Sequence, residues 1–194
     1  LLVEGYSDCQ ILKKALNILK QHNCIGITNG MGSKIVSTAS MLKFYNVPVL
    51  TIVDADNEGE GYKSKIIELG VPYSDDNVKT IKDLVDAIIS KGTIEDTLKP
   101  EYVSKNFKEA TKKLTGFNTW EFTYAGTKPI LEELREYIQK TNSEYDVQAI
   151  TELAKTKIGE GFSPNKTSLT NDTPKLKDLC QKILEKLGLG AWYG

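Results

Sequence analysis

Residues 48–53 (PVLTIV) are almost wholly apolar and stop abruptly at Asp54-Ala55-Asp56. A strand with one wet face alternates apolar and polar residues. A strand without alternation is covered on both faces, as in a parallel sheet sandwiched by helices. Shorter runs of the same kind occur at 1–4 and 24–28, and residues 77–81 suggest a fourth strand. Between the runs lie helical patterns. Ile11, Leu12, Ala15, Leu16 and Leu19 recur at helical spacing over 8–21, with Ser7 as candidate N-cap. Residues 33–45 carry a second helical pattern. Residues 59–69 carry a third, stopped by Gly70 and Pro72. This β-α-β-α-β-α-β rhythm predicts an α/β fold with helices on both faces of a parallel sheet. In such sheets the chemistry gathers beyond the carboxyl ends of the strands.

The second half changes character. Helical patterns cover 93–114, 128–140, 145–158 and 174–187, and the Gly-, Ser-, Thr- and Asn-rich stretch 159–174 reads as a loop. The expected organisation is a Rossmann-like core over 1–100 and a C-terminal helical appendage over 101–194. The chain opens on Leu1-Leu2-Val3, inside a strand and without Met, which suggests that the protein continues upstream.

Composition narrows the function. The formal net charge is -1, too balanced for a domain that binds nucleic acid by bulk positive charge. Phosphate contacts would need a local basic face or a bound metal. Nearly every basic residue is lysine, and Arg135 is the only arginine, which argues against base reading by arginine forks. Cys9, Cys24 and Cys180 are far apart and form no CxxC pair, so a disulfide framework or structural zinc is not expected, and a reducing cytoplasm fits. No apolar run approaches the length of a membrane span, and no signal peptide is visible.

Three acidic groups stand where the sheet would bring them together. Glu4 ends the first strand and Asp8 follows Gly5. Asp54 and Asp56 end the third strand, and Glu95 and Asp96 follow Thr93 at a helix start. Residues two apart on a strand share a side, so Asp54 and Asp56 can face one pocket, joined by Glu4 if the first and third strands are neighbours. Crowded carboxylates repel unless a cation neutralises them, and Mg2+ or Mn2+ suits an all-oxygen set. Taken singly, each acid is an ordinary helix cap or solvated residue; the combination is the signal.

Residues 3–8, VEGYSD, resemble the opening motif of TOPRIM domains, and residues 53–59, VDADNEG, resemble their DxD motif. Asn29-Gly30-Met31-Gly32 falls where those domains place a glycine turn. Residues 93–98, TIEDTL, resemble an element carried by the OLD (overcoming lysogenization defect) family of ATP-dependent endonucleases. The resemblance covers roughly the first hundred residues. It implies a metal-dependent DNA endonuclease or nickase domain, fused to an upstream ATPase domain and open to homodimer formation. Glu4, Asp8 and Glu95 would hold one Mg2+ or Mn2+ ion, and Asp54 and Asp56 a second. Glu4 could instead act as general acid or base. The family also places a lysine near the scissile phosphate, and Lys175 and Lys128, each near a helix start, are the candidates. Gly30 and Gly32 would either approach phosphate or make a tight turn. His22 reads as a helix-terminal residue rather than a catalyst. Trp120, Phe122 and Tyr124 alternate in a way that suits base stacking but more simply suits packing. Alternative readings are an RNase M5-like or other TOPRIM enzyme, a phosphate-binding module with an acidic pocket, and a domain serving assembly alone.

Overall fold

A computed structural model describes residues 1–19 and 25–189; His22 and Cys24 lie outside the described residues. Four parallel strands form one sheet: β1 (Leu2–Val3), β2 (Thr28–Asn29), β3 (Thr51–Val53) and β4 (Val78–Thr80), in the order β2-β1-β3-β4. Leu2 pairs with Thr28 on one side and Thr51 on the other, and Thr51 pairs with Val78. The strands are shorter than the apolar runs that announce them, but all of β3 is buried.

The helices of the first half are α1 (Tyr6–Leu19), α2 (Ile35–Phe44), α3 (Asn57–Glu68) and the single turn α4 (Ile81–Leu84). Those of the second half are α5 (Pro100–Thr115), α6 (Ile130–Thr141), α7 (Val147–Gly161), α8 (Lys166–Asn171) and α9 (Pro174–Lys186). Successive strand residues point to opposite faces. Leu2 and Val53 pack with Ile35 and Ala39 of α2 and Tyr62 and Ile66 of α3. Val3 and Ile52 face the other way, into a cluster with Ile11, Leu12 and Ala15 of α1.

That second cluster runs on without a break into the helical half. It takes in Phe107 of α5, Leu134 and Ile138 of α6, Ile150, Ala154 and Ile158 of α7, and Leu179 and Ile183 of α9. The appendage is therefore one wall of the main core: α7 lies along α1, and α5 and α6 lie on α7. Fully burying an aliphatic side chain is worth about 1.5–3 kcal/mol, so this shared core binds the two halves firmly.

Three boundaries differ from expectation. The helix expected over 93–114 is broken. Ile94–Thr97 is a 3-10 turn, Leu98 and Lys99 are extended, and α5 starts with Pro100 at its first position. A residue before proline avoids helical backbone, and proline itself suits a helix start. The loop expected over 159–174 contains α8, nucleated by a capping box between Asn165 and Ser168. Ser7 lies inside α1 rather than capping it. No helix among the described residues is long and apolar enough to cross a membrane.

Candidate active site

The sheet order fixes where a site can lie. The chain leaves β1 for α1 on one face and leaves β3 for α3 on the other. A crevice opens between neighbouring strands whose connections diverge in this way. Glu4 and Asp54 are the first residues beyond those two strand ends. The Glu4 carboxylate accepts a hydrogen bond from the backbone N–H of Asp54 at 3.1 Å, tying the two ends together.

Asp8 sits in the first turn of α1. It accepts from the backbone N–H of Gly5 at 2.8 Å and from the Ser7 hydroxyl at 3.2 Å. The Ser7 hydroxyl also lies 3.3 Å from Glu95. Glu95 is held by the Thr93 hydroxyl at 2.7 Å and is 0% exposed. The 3-10 turn thus delivers Glu95 to the acidic group. Its neighbour Asp96 points elsewhere and has a structural task. It accepts from the backbone N–H groups of Thr93 and Ile130, each at 2.8 Å, and so joins the turn to the start of α6.

Asp56 has a double position. It lines the cavity and also caps α3, accepting from the Gly59 N–H at 2.8 Å. Gly59 allows α3 to start this close to β3: a Cβ there would lie 2.1 Å from the Asp54 carbonyl oxygen. Gly30 is likewise a packing glycine, since its Cβ would meet Ile35 at 2.5 Å. Gly32 has φ +58, a backbone that glycine adopts without strain.

The sequence reading missed Lys155. It projects from α7 into the acidic cavity, with its ammonium 3.9 Å from Glu95 and its side chain only 22% exposed. Glu95 first, then Asp54, Asp8 and Glu4, hold its charge and raise its pKa. One turn further along α7, Gly159 lets this helix press onto α1. A Cβ there would stand 3.0 Å from the Cα of Ser7. A signal for Lys155 does exist in the sequence. It lies four residues after Thr151 and three before Ile158, both buried, and so falls on the inward side of α7.

The two lysines favoured by sequence are elsewhere. Lys128 is exposed and engaged by Glu132 at 3.2 Å and by Glu136. Lys175 lies near Asp96, in a separate hollow beside Pro174 and Asp172. Neither lines the acidic cavity. Trp120 and Phe122 form no strand. They pack against Tyr137 with ring centroids 5.0 and 5.6 Å away, and the Trp120 indole donates to Ser104 at 3.0 Å.

The cavity encloses about 700 Å³ between the strand ends and the α6–α7 wall. Its electrostatics are those of crowded acids. Burial raises the Glu4 pKa to about 7, with Asp8 and Asp56 adding to the effect and the Asp54 N–H opposing it. Burial also raises Asp8, and it raises Asp54 well above the ordinary carboxylate range, where Asp8 is the next cause. An acid titrating near neutrality suits proton transfer at physiological pH. As to metal, the donor set is all oxygen and fits a hard divalent cation in kind. Among the described residues no three acidic, His or Cys side chains already close on a single point that could hold an ion. Lys155 supplies part of the neutralising charge.

Comparisons with protein-family models, curated proteins and solved structures found no match for this chain.

Proposed function

We propose that this chain is a metal-dependent nuclease domain that hydrolyses phosphodiester bonds of DNA, in the manner of the TOPRIM and OLD-type enzymes its motifs resemble. One observation carries the reading: Glu4, Asp8, Asp54 and Asp56 line one crevice at the β1–β3 switch point, with Lys155 facing them and the buried Glu95 joined to the group through Ser7 and Lys155. Fixed carboxylates this crowded are costly unless cations complete them.

Glu4, Asp8 and Asp54 would hold the ion, with Asp56 in the same crevice and Glu95 joined to it through Ser7. A divalent ion bound there supplies charge relief at the phosphodiester and a more acidic water. Glu4, titrating near neutrality and anchored by the Asp54 N–H, holds or accepts a proton at its free oxygen. Lys155 places a permanent positive charge beside the carboxylates, where the non-bridging oxygens of a bound phosphodiester would lie. Ser7 and Thr93 keep Glu95 and Asp8 oriented.

The test is cleavage of supercoiled plasmid with Mg2+ or Mn2+, run beside an RNA of similar length. Nicking that vanishes in folded Glu4→Ala and Asp54→Ala proteins supports the reading. Undiminished cleavage by a folded Glu4→Ala protein removes it. Cleavage of RNA alone moves it to the RNase M5-like alternative.

A further inference from the structure

The wall of the cavity opposite the carboxylates is made by α6 and α7, and it carries Leu131, Arg135, Gln148, Glu152, Lys155 and Thr156. Arg135 is the sole arginine of the chain, and it sits here. Its Nε donates to the hydroxyl of Thr151 at 3.3 Å. That hydroxyl in turn donates to the Val147 carbonyl at 2.7 Å, and Thr151 is 0% exposed. The stem of the guanidinium is thus steered from a buried residue on the neighbouring helix. Among the described residues its terminal nitrogens take no hydrogen-bond or ion-pair partner. Among the described residues no carboxylate forms an ion pair with Arg135, although acids surround it in sequence. Glu132 and Glu136 are drawn to Lys128, Glu133 accepts from the backbone of Ala125, Thr127 and Lys128, and Glu152 accepts from Gln148.

We infer that Arg135 and its Thr151 tether form a phosphate subsite on the α6–α7 wall, which grips a phosphate of the nucleic-acid strand next to the one at the carboxylates. The inference rests on the nuclease reading for the identity of the ligand. The chemistry follows from the fork. A guanidinium presents parallel N–H donors that match two phosphate oxygens, which a lysine ammonium cannot do. An exposed arginine on the rim of an acidic cavity, paired with no acid among the described residues, is placed for an anion that enters with the substrate. With Lys155 deeper in the same cavity, the two cations divide the work. Lys155 is held by the acidic group, and Arg135 remains open for the strand. Arg135 is a positioning residue, since nothing places it at the reacting atoms.

Binding isolates this role from cleavage. A fluorescently labelled single-stranded DNA oligonucleotide is titrated in calcium, a hard cation that can occupy an oxygen site, with inorganic phosphate as a second ligand. The proteins are wild type, Arg135→Ala, Arg135→Lys and Thr151→Val, each checked for an unchanged melting curve. Arg135→Ala should weaken oligonucleotide binding about tenfold or more, because a charge-assisted hydrogen-bond pair is lost. Arg135→Lys should recover only part of it. Thr151→Val, which keeps the charge and frees the tether, should fall between wild type and Arg135→Ala. Wild-type affinity in Arg135→Ala overturns the subsite and leaves the nuclease reading untouched, as does full recovery in Arg135→Lys for the fork. A wild-type protein that binds neither ligand overturns the subsite outright. Arginine-dependent binding of phosphate without the oligonucleotide upholds the subsite for a small phosphate ligand and counts against a nucleic-acid substrate.

Discussion

The carboxylate of Glu4 accepts the backbone N–H of Asp54 at 3.1 Å, so the end of β1 is fastened to the end of β3 by a side chain that also lines the acidic cavity. Glu4 thus serves the fold through one oxygen and the cavity through the other, and its burial makes the site sensitive to protons.

The pH dependence has a definite sign. Glu4 titrates at about 7 in the fold, above its ordinary value of 4.5, and Asp8 and Asp54 are raised as well. A raised acid binds its proton more tightly in the folded state. Its contribution is complete at acid pH and is lost as pH rises through the folded pKa. The metal-free protein should lose roughly 1–3 kcal/mol between about pH 5 and pH 8 from Glu4. Glu4→Gln should flatten that part of the profile. Chemical denaturation across this range measures it, and a stability that rises with pH would contradict the assignment.

Metal should act in the opposite direction. Mg2+ or Mn2+ binds the ionised carboxylates of the folded state, so it should raise the melting temperature more at about pH 8 than at about pH 6, where protons compete. An ion effect that is equal at both values, or larger at the lower one, would place the ion away from Glu4.

Lys155 and Glu95 form a partly buried pair, and removing one partner strands the other. Lys155→Met should cost roughly 3–5 kcal/mol, because Glu95 is left as an uncompensated carboxylate. The double variant with Glu95→Gln should recover most of that loss without recovering cleavage. Additive losses in the double-mutant cycle would mean that the two side chains do not interact.

Among the lysines, Lys155→Ala should abolish cleavage, whereas Lys128→Ala and Lys175→Ala should leave kcat and KM as they are. Loss of activity in folded Lys175→Ala alone would bring its hollow, rather than the acidic cavity, to the centre of the chemistry.

Asp56 separates architecture from chemistry. Asp56→Asn keeps an oxygen to cap α3, while Asp56→Ala loses it at about 0.5–2 kcal/mol. If Asp56 also helps to hold an ion, both variants should lose metal-dependent cleavage to the same extent although only the second is destabilised. Cleavage that tracks stability would reduce Asp56 to a cap.

The parts of this molecule that were legible in the sequence were the local ones. Residues 48–53 announce a buried strand because no alternation interrupts them, and the acids that end the apolar runs mark the crevice because strand ends are where parallel sheets expose polar groups. Glu4, Asp54 and Asp56 needed nothing more. Lys155 was hidden for the opposite reason: its importance is created by α7 lying on α1, a contact between residues about 150 apart in sequence, as Gly159 against Ser7 illustrates. The same holds for Arg135, which is unremarkable on α6 until α7 supplies Thr151. The 3-10 turn at 94–97 was obscured by reading through Pro100, which restarts the helix rather than continuing it.

The unbroken apolar cluster that joins α1 to α5, α7 and α9 has a further consequence for how the protein comes apart. A fragment ending near residue 100 would keep every strand and the cavity's Glu4, Asp8, Asp54 and Asp56, but it would lose Glu152 and Lys155 and bare the outer side of α1 along its whole length. Such a piece should be sticky and poorly ordered, and limited proteolysis of the intact chain should not release it as a resistant half. Formation of the acidic crevice and burial of the helical half should appear as one unfolding transition, so that hydrogen exchange at the β3 amides and at the α7 amides reports a single opening event.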